Sequence, residues 1–253
     1  MTLIDAPLIT LSAPVNLRDL GGIAIAGGAL RDRLAIRTDD LALVTEEVAD
    51  ELVANGLTAI IDLRSNAEVA LSGRGPLGER AVAYHHIALM ADVRESMREQ
   101  PMFTHESMGA SYVAMVDTAA PQLVTALNVI AYSPGTTAFH CAAGRDRTGV
   151  LAAMLLLVLG ASDDDIVNDY ALTDANMPAI MQRTSGVMGP LWAKLGFDEE
   201  TMRSALPAGE MAVSMRILLE TLRERHGDPL APLRAAGLSD DTIARLRARA
   251  LDA

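Results

Sequence analysis

Residues 136–160 read TTAFHCAAGRDRTGVLAAMLLLVLG, and this stretch decides the fold. Thr136 to His140 is a short run of β-branched and aromatic residues, which predicts a strand. It leads directly into Cys141. Thr148 to Leu159 is a strongly apolar helix, stopped by Gly160. A strand thus delivers a cysteine into a short loop, and a helix follows at once. Outward from there, Leu57 to Ile61 is a compact apolar strand ending at Asp62-Leu63-Arg64, and Val82 to Ile87 is a second candidate. Thr45 to Asn55, Ser107 to Val116 and Pro121 to Tyr132 read as helices. Strands alternating with helices predict an α/β fold, with a mostly parallel central sheet flanked by helices.

The flanks carry turn and helix signals. Gly21-Gly22 and Gly27-Gly28 bracket Ile23 to Ala26, and Leu34 to Ile36 follows, which predicts short strands joined by glycine turns. These glycines lack the G-x-G-x-x-G spacing of a dinucleotide loop. Ser162 caps a helix with three aspartates in its first turn. Successive helix positions diverge, so those carboxylates complement the helix N-terminus rather than share a metal. From Asn176 to Gly209 the chain is punctuated by Pro178, Gly186, Gly189, Pro190, Gly196 and Pro207, which predicts short helices. Methionines between Met177 and Met202 suit a lid or plain core filling. Helices at Ala208–His226, Pro229–Ala236 and Asp240–Leu251 close the chain.

The loop itself suggests chemistry. Six residues separate Cys141 from Arg147, counting Arg147 itself. Amides from Ala142 onward, through Ala143, Gly144 and Arg145, can curl into a nest that binds an anion. The helix N-terminus at Thr148 and Gly149 adds a favourable dipole there. Arg147 can meet two oxygens of a tetrahedral dianion with its planar fork. The same positive field favours a thiolate at Cys141, and the Thr148 hydroxyl is expected to hydrogen-bond its sulfur. A thiolate beneath a cradled phosphate can transfer a phosphoryl group without a metal.

The C-x5-R-[ST] loop resembles that of the cysteine-dependent phosphatases. The string His140-Cys-Ala-Ala-Gly-Arg-Asp-Arg-Thr-Gly149 resembles their bacterial tyrosine phosphatases of broad specificity. Asn16-Leu-Arg-Asp-Leu-Gly-Gly22, Asp62-Leu-Arg-Ser-Asn-Ala-Glu68 and the tail around Pro232 to Gly237 resemble further elements of that group. The resemblance implies one phosphatase domain over residues 1–253, with a helical lid at about 174–210 and no cofactor or metal. It implies attack by Cys141, charge stabilisation by Arg147 and the loop amides, and a phosphocysteine that water hydrolyses. Phosphotyrosine proteins are the implied substrates, with phosphoserine, phosphothreonine and phosphoinositides as alternatives, and inorganic phosphate as product. Asp146 is the first candidate for the proton donor, Asp62 the second and Asp117 the third. A structural carboxylate bonding loop amides is the competing role for Asp146. Arg145 stands where the group often has lysine, and its fork is expected to favour doubly phosphorylated or inositol-ring substrates, or to reflect a codon preference. His140 is expected to orient the loop, and Arg64 to bind substrate or form a surface salt bridge.

Composition narrows the alternatives. The 253 residues carry a formal net charge of −12, half are hydrophobic and 21% are charged. That excludes a mainly disordered chain. The acidic balance argues against nucleic-acid partners and stable membrane association. The N-terminal MTLIDAPLIT lacks a secretory pattern, and the apolar stretch Gly149–Ala161 is shorter than the roughly 20 residues of a membrane span. A cytoplasmic enzyme is expected. One cysteine excludes an internal disulfide, a multi-cysteine metal site, and the resolving thiols of arsenate reduction. A phosphate-binding module without turnover is the alternative from another class. Peroxide inactivation of Cys141 is expected to pass through a sulfenic acid or backbone sulfenamide.

Overall fold

The computed structural model describes residues 9–90, 104–194, 196 and 210–251. Its strands are β1 (Arg18–Asp19), β2 (Ala24–Ile25), β3 (Gly28–Ala29), β4 (Ala35–Thr38), β5 (Leu57–Asp62), β6 (Ala83–His86) and β7 (Thr136–His140). Its helices are α1 (Glu46–Ala54), α2 (Asn66–Ser72), α3 (His105–Thr118), α4 (Ala120–Tyr132), α5 (Asp146–Leu159), α6 (Asp163–Ala171), α7 (Met177–Lys194), α8 (Ala212–His226), α9 (Ala231–Ala235) and α10 (Asp240–Leu251).

The main sheet runs β1-β4-β7-β5-β6, and only β1 is antiparallel to its neighbour. The α/β architecture expected from the sequence is the one observed. Strands β2 and β3 form the hairpin predicted from the glycine pairs. Strand β7 lies at the centre, paired with β4 on one side and β5 on the other. Its C-terminal end is therefore flanked by the ends of two parallel strands, the usual location of a binding crevice in such sheets.

Side chains alternate across the sheet. Ala138 of β7 and Leu57 and Ile60 of β5 face α1, where Leu41, Val44, Ala49 and Leu77 close a small core. Phe139 and Ile61 face the larger core built by α3 to α6 and α8 to α10. Helix α5 runs through that larger core, and every residue from Arg147 to Leu159 is buried. This explains why it is apolar all round. Burying each of its large side chains contributes about 1.5–3 kcal/mol. Thr45, Ser65 and Ser162 each accept a backbone N–H at the start of α1, α2 and α6. Asp163 and Asp164 of the first turn of α6 also pair with Arg223 and Arg216 of α8.

Two boundaries depart from the sequence reading. Helix α5 starts at Asp146 rather than Thr148, so Asp146 and Arg147 belong to its first turn. The expected short helices after Asn176 are instead one 18-residue helix, α7. Pro178 occupies its second position, where a missing N–H costs no intrahelical bond. Ile180, Thr184 and Val187 recur on one face and are buried, and the helix continues through Gly186, Gly189 and the internal Pro190. The rest of the expected lid, residues 195 and 197–209, lies outside the described residues. No single helix among the described residues is long and apolar enough to cross a membrane.

Candidate active site

Cys141 follows the last residue of β7 and is 1% exposed. The loop after it is shaped by its carbonyls. Asp40 N donates to Ala142 O at 3.1 Å. Asn16 Nδ2 donates to Gly144 O at 3.2 Å and Ala143 O at 3.4 Å, and Arg37 Nη2 donates to Gly144 O at 3.0 Å. In a planar trans peptide the N–H points opposite the C=O. The amides of Ala143, Gly144 and Arg145 therefore face away from those anchors, as an anion nest requires. Gly144 makes the turn with φ of +67°, and a Cβ there would lie 2.4 Å from Thr38 O. Arg145 occupies the N-cap of α5 without giving a side-chain cap, so the first amides of the helix remain open to an anion.

Arg147 is oriented from below. Its Nη1 and Nη2 donate to Glu68 Oε2 and Oε1 at 2.6 and 2.8 Å, a bidentate pair. Glu68 is itself fixed by the capping box of α2: Ser65 N donates to Oε2 at 2.7 Å. Burial opposes ionisation of Glu68, yet Arg147 and Ser65 outweigh it and hold the carboxyl at about 2, below its ordinary 4.5. A depressed carboxyl stabilises the fold above its unfolded value and loses that contribution as pH falls. Stability should therefore drop between pH 4.5 and 2. Glu68→Gln should lose this part of the acid slope. At neutral pH it should cost about 3–5 kcal/mol, because Arg147 keeps a buried charge without its counterion. Denaturant midpoints against pH check both; an unchanged midpoint at neutral pH would show that the pair is dispensable.

The proton-donor candidates separate clearly. Asp146 sits beside Arg147 and its side chain is 33% exposed. Asp62 is 0% exposed and committed elsewhere. It pairs with Arg64 at 2.6 Å and accepts from Tyr84 Oη at 2.6 Å. Burial disfavours its charge, but His140, Arg64 and Tyr84 hold it ionised well below the usual carboxylate range. It has no proton to donate at neutral pH. Asp117 pairs with Arg225 of α8 at the surface. Of the three, Asp146 alone adjoins Arg147 and keeps a partly exposed carboxylate.

Other expectations need correction. Arg64 is neither at the surface nor free for substrate. It is buried, and its guanidinium donates to Asp62, Asp40, Ser72 Oγ and Gly73 O. Arg145 is not an exposed fork for a second phosphate. It is buried near Asp146, Tyr112 and Tyr170; burial opposes its charge, and Asp146 leads the groups that restore it. Thr148 Oγ1 is buried without a hydrogen-bond partner, so the expected bond to the sulfur is not formed. His140 lies under the loop, with Nδ1 3.2 Å from Cys141 O and 3.4 Å from Leu41 N. Burial lowers its proton affinity below the ordinary imidazole value, against the opposing pull of Asp62 and Asp40. No group of three or more His, Cys, Asp or Glu side chains placed to hold a metal occurs among the described residues.

The model of the tyrosine phosphatase family matches residues 9–252. The chain belongs to that family. Among curated relatives, a "Tyrosine-protein phosphatase" of Nostoc commune is 32% identical over 54% of this chain and 47% of its own. The chain thus spans about half the length of that relative. The "Triple specificity protein phosphatase PtpB" of Mycobacterium tuberculosis is 25% identical over 92% of this chain and 95% of its own. A solved structure of P. aeruginosa TpbA with pTyr covers 85% of this chain and 97% of its own, at 14% identity and a TM-score of 0.36.

In this member of the family several supporting residues carry roles that sequence reading did not assign. Asn16 Oδ1 accepts from Arg18 Nη1 at 2.8 Å and from Asn176 Nδ2 at 3.3 Å, which turns Nδ2 toward the loop carbonyls. Arg18 and Arg37 share Asp169 of α6. Asp39 accepts from Asn16 N at 3.0 Å and pairs with Arg183 of α7 at 2.6 Å. Asp19 accepts from Gly21 N and Arg33 N and so closes the turn after β1. The sequence contained one signal for these roles: Asn16, Arg18, Asp19 and Glu68 stand in the two elements quoted above outside the loop.

Proposed function

We propose that this protein hydrolyses phosphotyrosine in proteins through a phosphocysteine intermediate. The loop geometry carries the reading: carbonyls anchored outward, amides turned the other way, Arg147 pinned by Glu68, and Cys141 beneath. In the first step the Cys141 thiolate attacks phosphorus, the S–P bond forms and the P–O bond to tyrosine breaks. Asp146 gives its proton to the leaving oxygen. Arg147 and the loop amides hold the equatorial oxygens as charge redistributes. In the second step water attacks phosphorus, the Asp146 carboxylate takes its proton, and the thiolate leaves with inorganic phosphate released. The relative from Mycobacterium tuberculosis is named for triple specificity, which supports extending the substrates to phosphoserine, phosphothreonine or other phosphomonoesters.

The test is phosphate release from phosphotyrosine, phosphoserine and phosphoinositide substrates with EDTA present. Release from phosphotyrosine peptide is expected, undiminished by the chelator. Tight phosphopeptide binding with no phosphate released would instead identify a binding module. Faster release from phosphoinositides than from peptide would make this a lipid-directed enzyme.

A further inference from the structure

Two buried tyrosines stand behind the loop. Tyr112 comes from α3 and Tyr170 from α6, and their rings meet edge to face, with centroids 6.0 Å apart at 75°. Their hydroxyls are 2.7 Å apart. The Tyr112 hydroxyl also donates to Asp146 Oδ1. A phenol has one proton to give. Tyr112 gives its proton to the carboxylate, so Tyr170 must donate to Tyr112, and the chain runs Tyr170 to Tyr112 to Asp146. Both phenols stay protonated near neutrality, because burial first, and Asp146 with it, pushes them above their ordinary value. Gly149 makes room for this chain: a Cβ there would lie 2.8 Å from the Tyr170 ring. Arg145 Nε lies 3.6 Å from the same Oδ1. Among the described residues no hydrogen bond reaches Oδ2.

We propose that Tyr112, backed by Tyr170, is a positioning residue that holds the Asp146 carboxyl by Oδ1 and leaves Oδ2 to carry the proton for the leaving oxygen. The inference rests on Asp146 being the proton donor. Tyr112 transfers no proton itself. Its hydroxyl stays on Oδ1 while Oδ2 loses a proton in the first step and regains one from water in the second.

Leaving-group dependence tests this, because protonation matters only when the leaving oxygen is basic. Asp146→Asn should lower kcat for phenyl phosphate by about 100-fold, and kcat for a fluorinated aryl phosphate far less. Tyr112→Phe should lower kcat for phenyl phosphate by about tenfold, leave KM unchanged, and change the fluorinated substrate less than about twofold. In the Asp146→Asn background, Tyr112→Phe should have no further effect. Equal loss on both substrates, or a full additional loss in the double variant, would make Tyr112 merely structural and overturn the inference. If Asp146→Asn itself shows no leaving-group dependence, the proton-donor reading falls first and this inference with it. Tyr170→Phe removes only the outer link and should show the same pattern at smaller size. It decides the matter if Tyr112→Phe does not fold; equal loss on both substrates there would likewise overturn the inference.

Discussion

Cys141→Ser is expected to lower phosphate release by about 10⁴-fold or more, the scale of losing the nucleophile in covalent catalysis. The substitution exchanges one sulfur for a smaller oxygen at a 1% exposed position at the end of the central strand. No hydrogen bond that shapes the loop uses that side chain. The carbonyls of Ala142, Ala143 and Gly144 keep their donors, and Arg147 keeps Glu68. Phosphate binding should therefore persist while turnover stops, because a serine hydroxyl without an adjacent base stays protonated at neutral pH. The expected signature is a protein that retains phosphotyrosine peptide and releases no phosphate. Turnover unchanged by the substitution would remove Cys141 from the chemistry altogether.

Arg147→Lys should lower kcat by about 10²–10³-fold, the scale seen when one preorganised donor to a developing charge is lost. The charge survives this change, so the prediction isolates geometry. A guanidinium spans both Glu68 oxygens and still presents donors to a phosphate. An ammonium is a single point and cannot do both. Lysine still neutralises the buried Glu68 carboxylate, so the thermal midpoint should move by only about 2–4 °C for each kcal/mol lost. Rates within threefold of the unaltered protein would show that charge alone suffices at this position. A large fall in midpoint alongside the rate would show that the fork is structural before it is catalytic.

The parts of the site that were legible in the sequence are local. Cys141, the glycine turn and Arg147 lie within one strand, one loop and one helix start, so their spacing alone states their relation. Strand and helix order followed from apolar patterning, since β7 and α5 bury nearly every residue. What sequence reading missed is long-range pairing. Glu68 and Arg147 are 79 residues apart, and Tyr112 and Asp146 are 34 apart. No periodicity links such positions. Arg64 was misplaced because a guanidinium usually seeks solvent, and only the fold shows Asp62, Asp40 and the end of α2 surrounding it. Helix α7 was broken up in the sequence reading because glycine and proline were weighed without its buried face.

The link from α7 to the loop has a consequence for how the molecule can be divided. Arg183 supplies the charge that balances Asp39, Asp39 seats Asn16, and Asn16 holds two loop carbonyls. Removing the chain after α6 would leave Asp39 as a buried anion with its cation gone. The loop and the later helix are therefore tied together by one chain of buried ion pairs and hydrogen bonds. A domain boundary drawn at the end of α6 would cut through the support of the site itself. Grafting a different segment in place of α7 would have to supply an arginine at the same point in space.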